Sequence, residues 1–407
     1  MFSLTLFTAT TFTSCKKDDS VAQNLSSVSI DSTASNNNVD KQNHSGSYIN
    51  NKPATGTTTG TTTGTTTGTT TGTTTGTTTG TTTGTTAGTT TGTTTGTTTG
   101  GTTTGGTTTG TGVTAPVFTY KTTAPIALNN VSNMTISGDL ITGGSSVCIH
   151  LMNCSNIHIT KCKLQNSTLQ GIQLYNCTNI TIDSCFITNV QAGVDAIKST
   201  TIKVINNQFL NMNGPFPSGN FVQFDNVNGG GNQINYNKCE DIVGVAQHPQ
   251  DGLSVYQSNG LPGDSIQVIG NWIRGGQVQH DSGGAAGIVL GDVGGSYQVA
   301  RYNIMVNPGA VGAQVQGGNH IKIDHNTIYS TSTPFTVLGI AYGNYSHLTS
   351  TDITMSYNKV KYYNTNGNEI DEWWDPNTAI QPAGWATNIQ KANIDATILP
   401  ATIITMK

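Results

Sequence analysis

The chain has 407 residues, only 9% of them charged, with 49 glycines and a formal net charge of −4. That balance offers no basic surface for a nucleic-acid partner, and no run of 18 apolar residues exists to span a membrane as a helix. The seven cysteines are scattered singly, without the paired spacing of a metal finger.

Residues 1–15 form a short, uncharged, mildly apolar run that ends in small residues before a cysteine, the pattern of an export signal. Phe12-Thr13-Ser14-Cys15 resembles a bacterial lipobox, and the following Lys16-Lys17-Asp18-Asp19 is similar to the surface-export tag of Bacteroidetes lipoproteins. The resemblance implies that Cys15 carries acyl chains that hold the protein at the outer membrane, exposed at the cell surface. The basic n-region of such signals is missing, so the true start is expected upstream. An ordinary signal peptide followed by a chance cysteine is the alternative.

Residues 16–112 are expected to be a linker. The first part, to residue 54, is rich in Ser, Asn and Asp; from Thr55 to Gly112 the chain is nearly pure Gly-Thr-Thr-Thr. Such a segment has too little apolar surface to offset its ordering entropy. It reads as a disordered tether with an end-to-end distance on the order of 40 Å. Sugars on its threonines would stiffen it into a stalk.

From residue 113 to 364 the sequence repeats. Asp139, Cys162, Cys185, Asn207, Asn237, Asn271, Asn303, Asn326 and Asn358 occupy one point of the repeat. Each period holds three short β-branched runs, as in Gly171-Ile172-Gln173-Leu174, Asn179-Ile180-Thr181-Ile182-Asp183 and Phe186-Ile187. This is a solenoid signature. Alternation sends Ile, Leu and Val inward, while stacked Asn side chains satisfy a buried corner. The corners imply roughly nine to ten coils and an axis on the order of 45 Å. The pattern resembles the right-handed parallel β-helix of the pectin-lyase-like superfamily across residues 118–400, so the fold class expected is all-β. Cys162 over Cys185, and Cys154 over Cys177, then read as stacked small side chains rather than disulfides. Residues 365–407 read as a C-terminal cap over the last coil.

The corner spacing runs 23, 23, 22, then 30, 34, 32, then 23, then 32 residues. Extra residues therefore enter the coils between Asn207 and Asn303, on both sides of the first strand of each coil. Loops that lengthen on either side of one face, coil after coil, build two walls of a cleft suited to an extended polymer. Polar residues concentrate there. Asp225, Asp251, Tyr256, His280, Asp281 and Asp292 are the catalytic candidates. Gln223, His248, Ser254, Gln314 and Gln316 are substrate-binding candidates, with Arg274 and Arg301 on adjoining segments. His150, His158, His320 and His325 read as surface or corner residues, and Tyr342 and Tyr345 near His347 as an accessory sugar platform.

Carboxylates two strand spacings apart suit the acid and base of an inverting glycosidase. A His or Tyr beside a carboxylate suits proton abstraction by a uronate lyase or epimerase, and clustered Asp could hold Ca2+, the candidate cation. The motif sets of polygalacturonases, pectate lyases and mannuronan epimerases are absent; His248-Pro249-Gln250-Asp251 is a loose echo of the last. Segments over 200–345, including Asp251-Gly252-Leu253-Ser254-Val255-Tyr256 and Leu290-Gly291-Asp292, resemble a group of bacterial β-helix proteins and imply a shared groove, not a reaction. The expected function is that of a monomeric surface protein acting on an acidic or complex polysaccharide by lyase, epimerase or hydrolase chemistry. The alternative is a non-enzymatic carbohydrate-binding or adhesive lipoprotein.

Overall fold

The structure, a computed structural model, describes residues 119–214, 219–242, 251–275, 286–345 and 350–406, together with short strands between residues 54 and 99. Cys15 lies outside the described residues. Two units divide the chain, one covering Ser29–Thr119 and the other containing Tyr120–Lys407.

In the first unit the described residues are short strands of the Gly-Thr-Thr-Thr array, such as Thr62–Thr67 and Thr78–Thr83. They pair in parallel at a sixteen-residue interval, Thr62 with Thr78 and Thr55 with Thr71. Composition alone predicts no regular structure there, because the array has no large apolar side chain to bury.

The second unit is a parallel β-helix. Three sheets run its length, two of ten strands and one of nine, and neighbouring strands in them pair in parallel. One coil shows the construction: Ile172–Tyr175 in the first sheet, Thr178–Asp183 in the second and Phe186–Val190 in the third. Ile172 and Leu174 are fully buried while Gln173 and Tyr175 are half-buried, the period-2 pattern of a strand with one face in a core. Like stacks on like: Ile136, Ile159 and Ile182 occupy one inward column in three successive coils.

The corner expected from the sequence is a continuous hydrogen-bonded ladder. Asn237 Nδ2 donates to Val204 O at 2.9 Å and to Asn271 Oδ1 at 3.0 Å, and the Asn237 N–H donates to the same Oδ1 at 2.9 Å. The same bonds recur through Asn303, Asn326 and Asn358 and extend one rung further than the repeat suggested, to Asn388. Each rung thereby satisfies a buried backbone N–H and a buried carbonyl at a corner where no strand partner exists. In the earlier coils Cys162 and Cys185 take this position; both are buried free thiols, as are Cys154 and Cys177.

The tenth strand of the first sheet is Glu372–Trp374, beyond residue 364. Past Ile389, which bridges to Lys359, the chain turns back along the outside of the third sheet. Leu399 and Ile403 are buried against Val306, Trp272, Ile304 and Tyr329. Arg274 donates to Pro400 O at 2.6 Å and Ala401 O at 3.1 Å, and Gln208 accepts from the Thr405 N–H at 2.6 Å. Residues 395–406 are therefore a strap along the third sheet. No helix among the described residues is long and apolar enough to cross a membrane.

Candidate functional site

Register in the first sheet brings the candidate residues together. Asp225 pairs with Tyr256, and Tyr256 with Asp292, so the three side chains occupy one outward row on successive coils. A second row on the same face runs Asp195, Gln223, Ser254, Val289 and Gln314. Gln316 follows Val315 at the end of its strand, and its N–H donates to Leu290 O at 3.0 Å. Gln223, Gln314 and Gln316 are half-buried and form the open part of this face.

The carboxyl groups are enclosed. Asp225 has no exposed surface, and Asp251, Asp292 and Tyr256 keep 7%, 8% and 6%. Asp251 Oδ1 accepts from the Ala286 N–H at 3.0 Å. Burial pushes Asp251 up to about 7 despite that bond. Burial also pushes Asp292 up to about 8, with the neighbouring charges of Asp251 and then Asp225 acting in the same direction. The three carboxyls thus form one repelling cluster, where at neutral pH a proton is retained.

A backbone irregularity presents Asp292. The strand Ala286–Asp292 matches Leu253 to Ile288 and Ser254 to Val289, then slips by one residue so that Tyr256 meets Asp292. The extra residue is a β-bulge, a device that re-aims a side chain. Gly291 carries it at φ 62°, and a Cβ there would meet Gly317 O at 2.1 Å, so the position requires glycine. Gln298 pins the bulge from below: its Oε1 accepts from the Gly291 N–H at 2.8 Å and its Nε2 donates to Ser258 O at 2.7 Å.

Two further polar residues join the cluster. Ser254 is 1% exposed, and its Oγ has no hydrogen-bond partner among the described residues. Asn220 precedes Val222 as Asp251 precedes Leu253, so the two sit on adjacent coils. Asn220 is 1% exposed, and neither of its amide atoms has a partner among the described residues. Buried polar atoms left without protein partners are costly and mark places where a ligand atom or water is expected. Sequence reasoning missed Asn220, although it stands just ahead of a first-sheet strand, as Asp251 does.

Both arginines fall elsewhere. Arg274 lies on the third sheet, bonded to Glu240 at 3.1 Å and to the returning tail. Arg301 ends a strand of the second sheet and forms a bidentate pair with Asp324 at 3.0 and 3.0 Å. Each is on a strand, but a strand's polar alternation does not tell which of three faces it belongs to. Tyr342 is 2% exposed with its hydroxyl 2.8 Å from Ser350 Oγ, so it is a core residue rather than a sugar platform. His248, His280, Asp281 and His347 lie outside the described residues. Among the described residues no three His, Cys, Asp or Glu side chains converge as a metal site, which leaves Ca2+ without a ligand set there.

Residues 109–239 match the family model described as a right handed beta helix region. Together with the strand order, this makes the second unit a right-handed parallel β-helix. Among solved structures the chain is similar to a double mutant of the tailspike protein of E. coli bacteriophage HK620, at 11% identity and a TM-score of 0.33. The likeness covers 74% of this chain and 59% of the tailspike chain. No curated protein matches the sequence.

Proposed function

We propose that the first-sheet face is the active site of a polysaccharide hydrolase working by inversion. One observation carries this reading: Asp225 and Asp292 stand two coils apart in the same row, with Asp292 pushed up to about 8. Two rungs at the spacing of paired strands separate them by about 9.5 Å, at the upper end of the roughly 6.5–9.5 Å between the carboxyls of inverting glycosidases. In this scheme the Asp292 carboxylic acid donates its proton to the glycosidic oxygen as the bond to the anomeric carbon breaks. Asp225 takes a proton from a water that attacks the anomeric carbon from the opposite face. Tyr256, between them, supplies a hydroxyl to the sugar, and Asn220 and Ser254 supply polar contacts. Asp251 keeps the proton on Asp292 through charge repulsion.

The displacement of Arg274 and Arg301 from this face favours hydrolysis of a neutral or mixed glycan over uronate elimination, which requires positive charge at the carboxylate to stabilise its anionic intermediate. Incubation with a panel of polysaccharides, read by reducing ends and by absorbance of unsaturated uronates, tests the reading. Reducing ends without unsaturated products, lost in Asp292→Asn and Asp225→Asn, are expected. Unsaturated products would replace hydrolysis by elimination, and turnover unchanged in both variants would remove the site.

The proposed location is the outer surface of a cell, with Cys15 lipidated and residues 16–112 as spacer. Labelled palmitate should enter the wild-type protein and not Cys15→Ala.

A further inference from the structure

A different face of the solenoid carries a second set of unusual residues. The second-sheet strands Ser296–Arg301, Asn319–Asp324 and Thr351–Ser356 stack in register. At both ends of each strand the backbone passes through the left-handed region. Tyr297, His320 and Asp352 hold φ 52°, 54° and 53° at one end; Tyr302, His325 and Tyr357 hold φ 57°, 56° and 56° at the other.

In the N-terminal coils the first of these positions is filled by Asn133, Asn156 and Asn179. Asparagine tolerates that conformation, and these three bond along the axis at 3.0 and 2.8 Å. Bulky aromatic residues there carry strain that asparagine would avoid. Retained strain of this kind gathers at functional positions.

The strained residues form two walls. Tyr297 stacks on His320 with centroids 4.5 Å apart, and His320 Nδ1 is 2.7 Å from Asp352 Oδ2, which fixes the imidazole. On the opposite wall His325 lies between Tyr302 and Tyr357, at 5.3 and 5.0 Å. Tyr302 and Tyr357 are each 55% exposed. About 16 Å of strand separates the walls. The floor is polar: Lys322 and Thr354 lie beside Val299 in one row, which continues to Gln267. A hollow of about 460 Å³ opens over this floor, lined by Tyr297, His320 and Asp352 and by Arg301, with the Tyr302–His325–Tyr357 row outside its lining.

We propose that this channel is a second glycan-binding site, holding a stretch of at least three pyranose units along the solenoid axis. The rings of each wall recur at the coil repeat, close to the length of one sugar unit, so successive sugars meet equivalent aromatic groups. Sugar C–H faces pack on Tyr302 and Tyr357, while hydroxyls bond to Lys322, Gln267, Thr354 and the second nitrogen of His320. The polar floor fits a hydroxyl-rich chain better than an apolar protein segment. The site does not require the catalytic reading above, because it shares no residue with the Asp225–Asp292 row.

The test is affinity electrophoresis of the full chain in gels containing the same polysaccharide panel. The variants are Tyr302→Asn with Tyr357→Asn, and separately His320→Asn; asparagine suits the backbone at all three sites, so the fold is retained. We expect wild-type retardation by at least one polysaccharide, a weakening of about tenfold in the double variant, and a Tm no lower than that of the wild type. No retardation of the wild type, or equal retardation of the double variant, would overturn the proposal. So would capture of a protein partner by the wild type that the glycans fail to displace. Turnover retained in the double variant while its retardation is lost would separate the two sites.

Discussion

A carboxyl group with a pKa near 8 is a proton donor at neutral pH, and Asp292 reaches that value through burial first and the charges of Asp251 and Asp225 second. The same shift has a sign in stability. Folding raises the pKa of Asp292 and Asp251 above the unfolded 3.8. Between about pH 4 and pH 8 the folded state therefore holds more protons than the unfolded chain, and stability falls as pH rises through that window. We expect Tm to decline from about pH 5 to about pH 8 in the wild type and to decline less in Asp292→Asn, as scanning calorimetry would show; equal slopes would place the proton elsewhere. If Asp292 is the acid, turnover should fall as pH rises past about 8. Corner residues make a separate prediction. Asn271→Ala leaves the Asn237 N–H and the Ile234 carbonyl without partners, at a cost of roughly 2–4 kcal/mol, measurable as a lowered midpoint in urea. The carboxylate cluster was legible in the sequence because counting from the asparagine corners places each residue within its coil. Asn220 was not, because nothing in its type marks it as buried.

At the scale of a strand, the bulge in Ala286–Asp292 decides whether Asp292 joins the row. Without the slip, Tyr256 would meet Gly291, and Asp292 would fall beyond it. Gln298→Leu removes the acceptor for the Gly291 N–H and the donor to Ser258 O. The expected result is a loss of turnover of about tenfold or more with the pH profile displaced, since a re-aimed Asp292 no longer feels Asp251 in the same way. A normal profile would mean that the bulge holds without Gln298. Sequence alone revealed that these coils had lengthened, but not this slip. One extra residue inside a strand looks the same in the sequence as one extra residue in the adjoining loop. The two arginines illustrate the complementary difficulty. Polar alternation says that Arg274 and Arg301 face outward, and outward has three directions in a three-sided coil.

Across the whole molecule of coils, order comes from repetition in one direction and from the strap in the other. Each coil touches only its neighbours, so the stack by itself behaves as a one-dimensional array in which end coils open first. The strap breaks that rule. Truncation before Asp395 would expose Trp272, Ile304, Val306 and Tyr329 and leave Arg274 without two acceptors. A lower Tm and faster proteolysis of the coils from residue 208 onward are expected. An unchanged proteolytic pattern would show that the strap lies passively on the surface.

Gln208 meets Thr405 across 197 residues of chain. A solenoid that closed only through adjacent coils could lock each turn as it formed. Here the bond that secures the coil of Gln208 waits for residues far downstream, so the chain has a late checkpoint. Until residues 395–406 arrive, the third sheet's outer apolar side is bare and the half-built stack remains easy to reopen. The strap imposes that delay through topology alone.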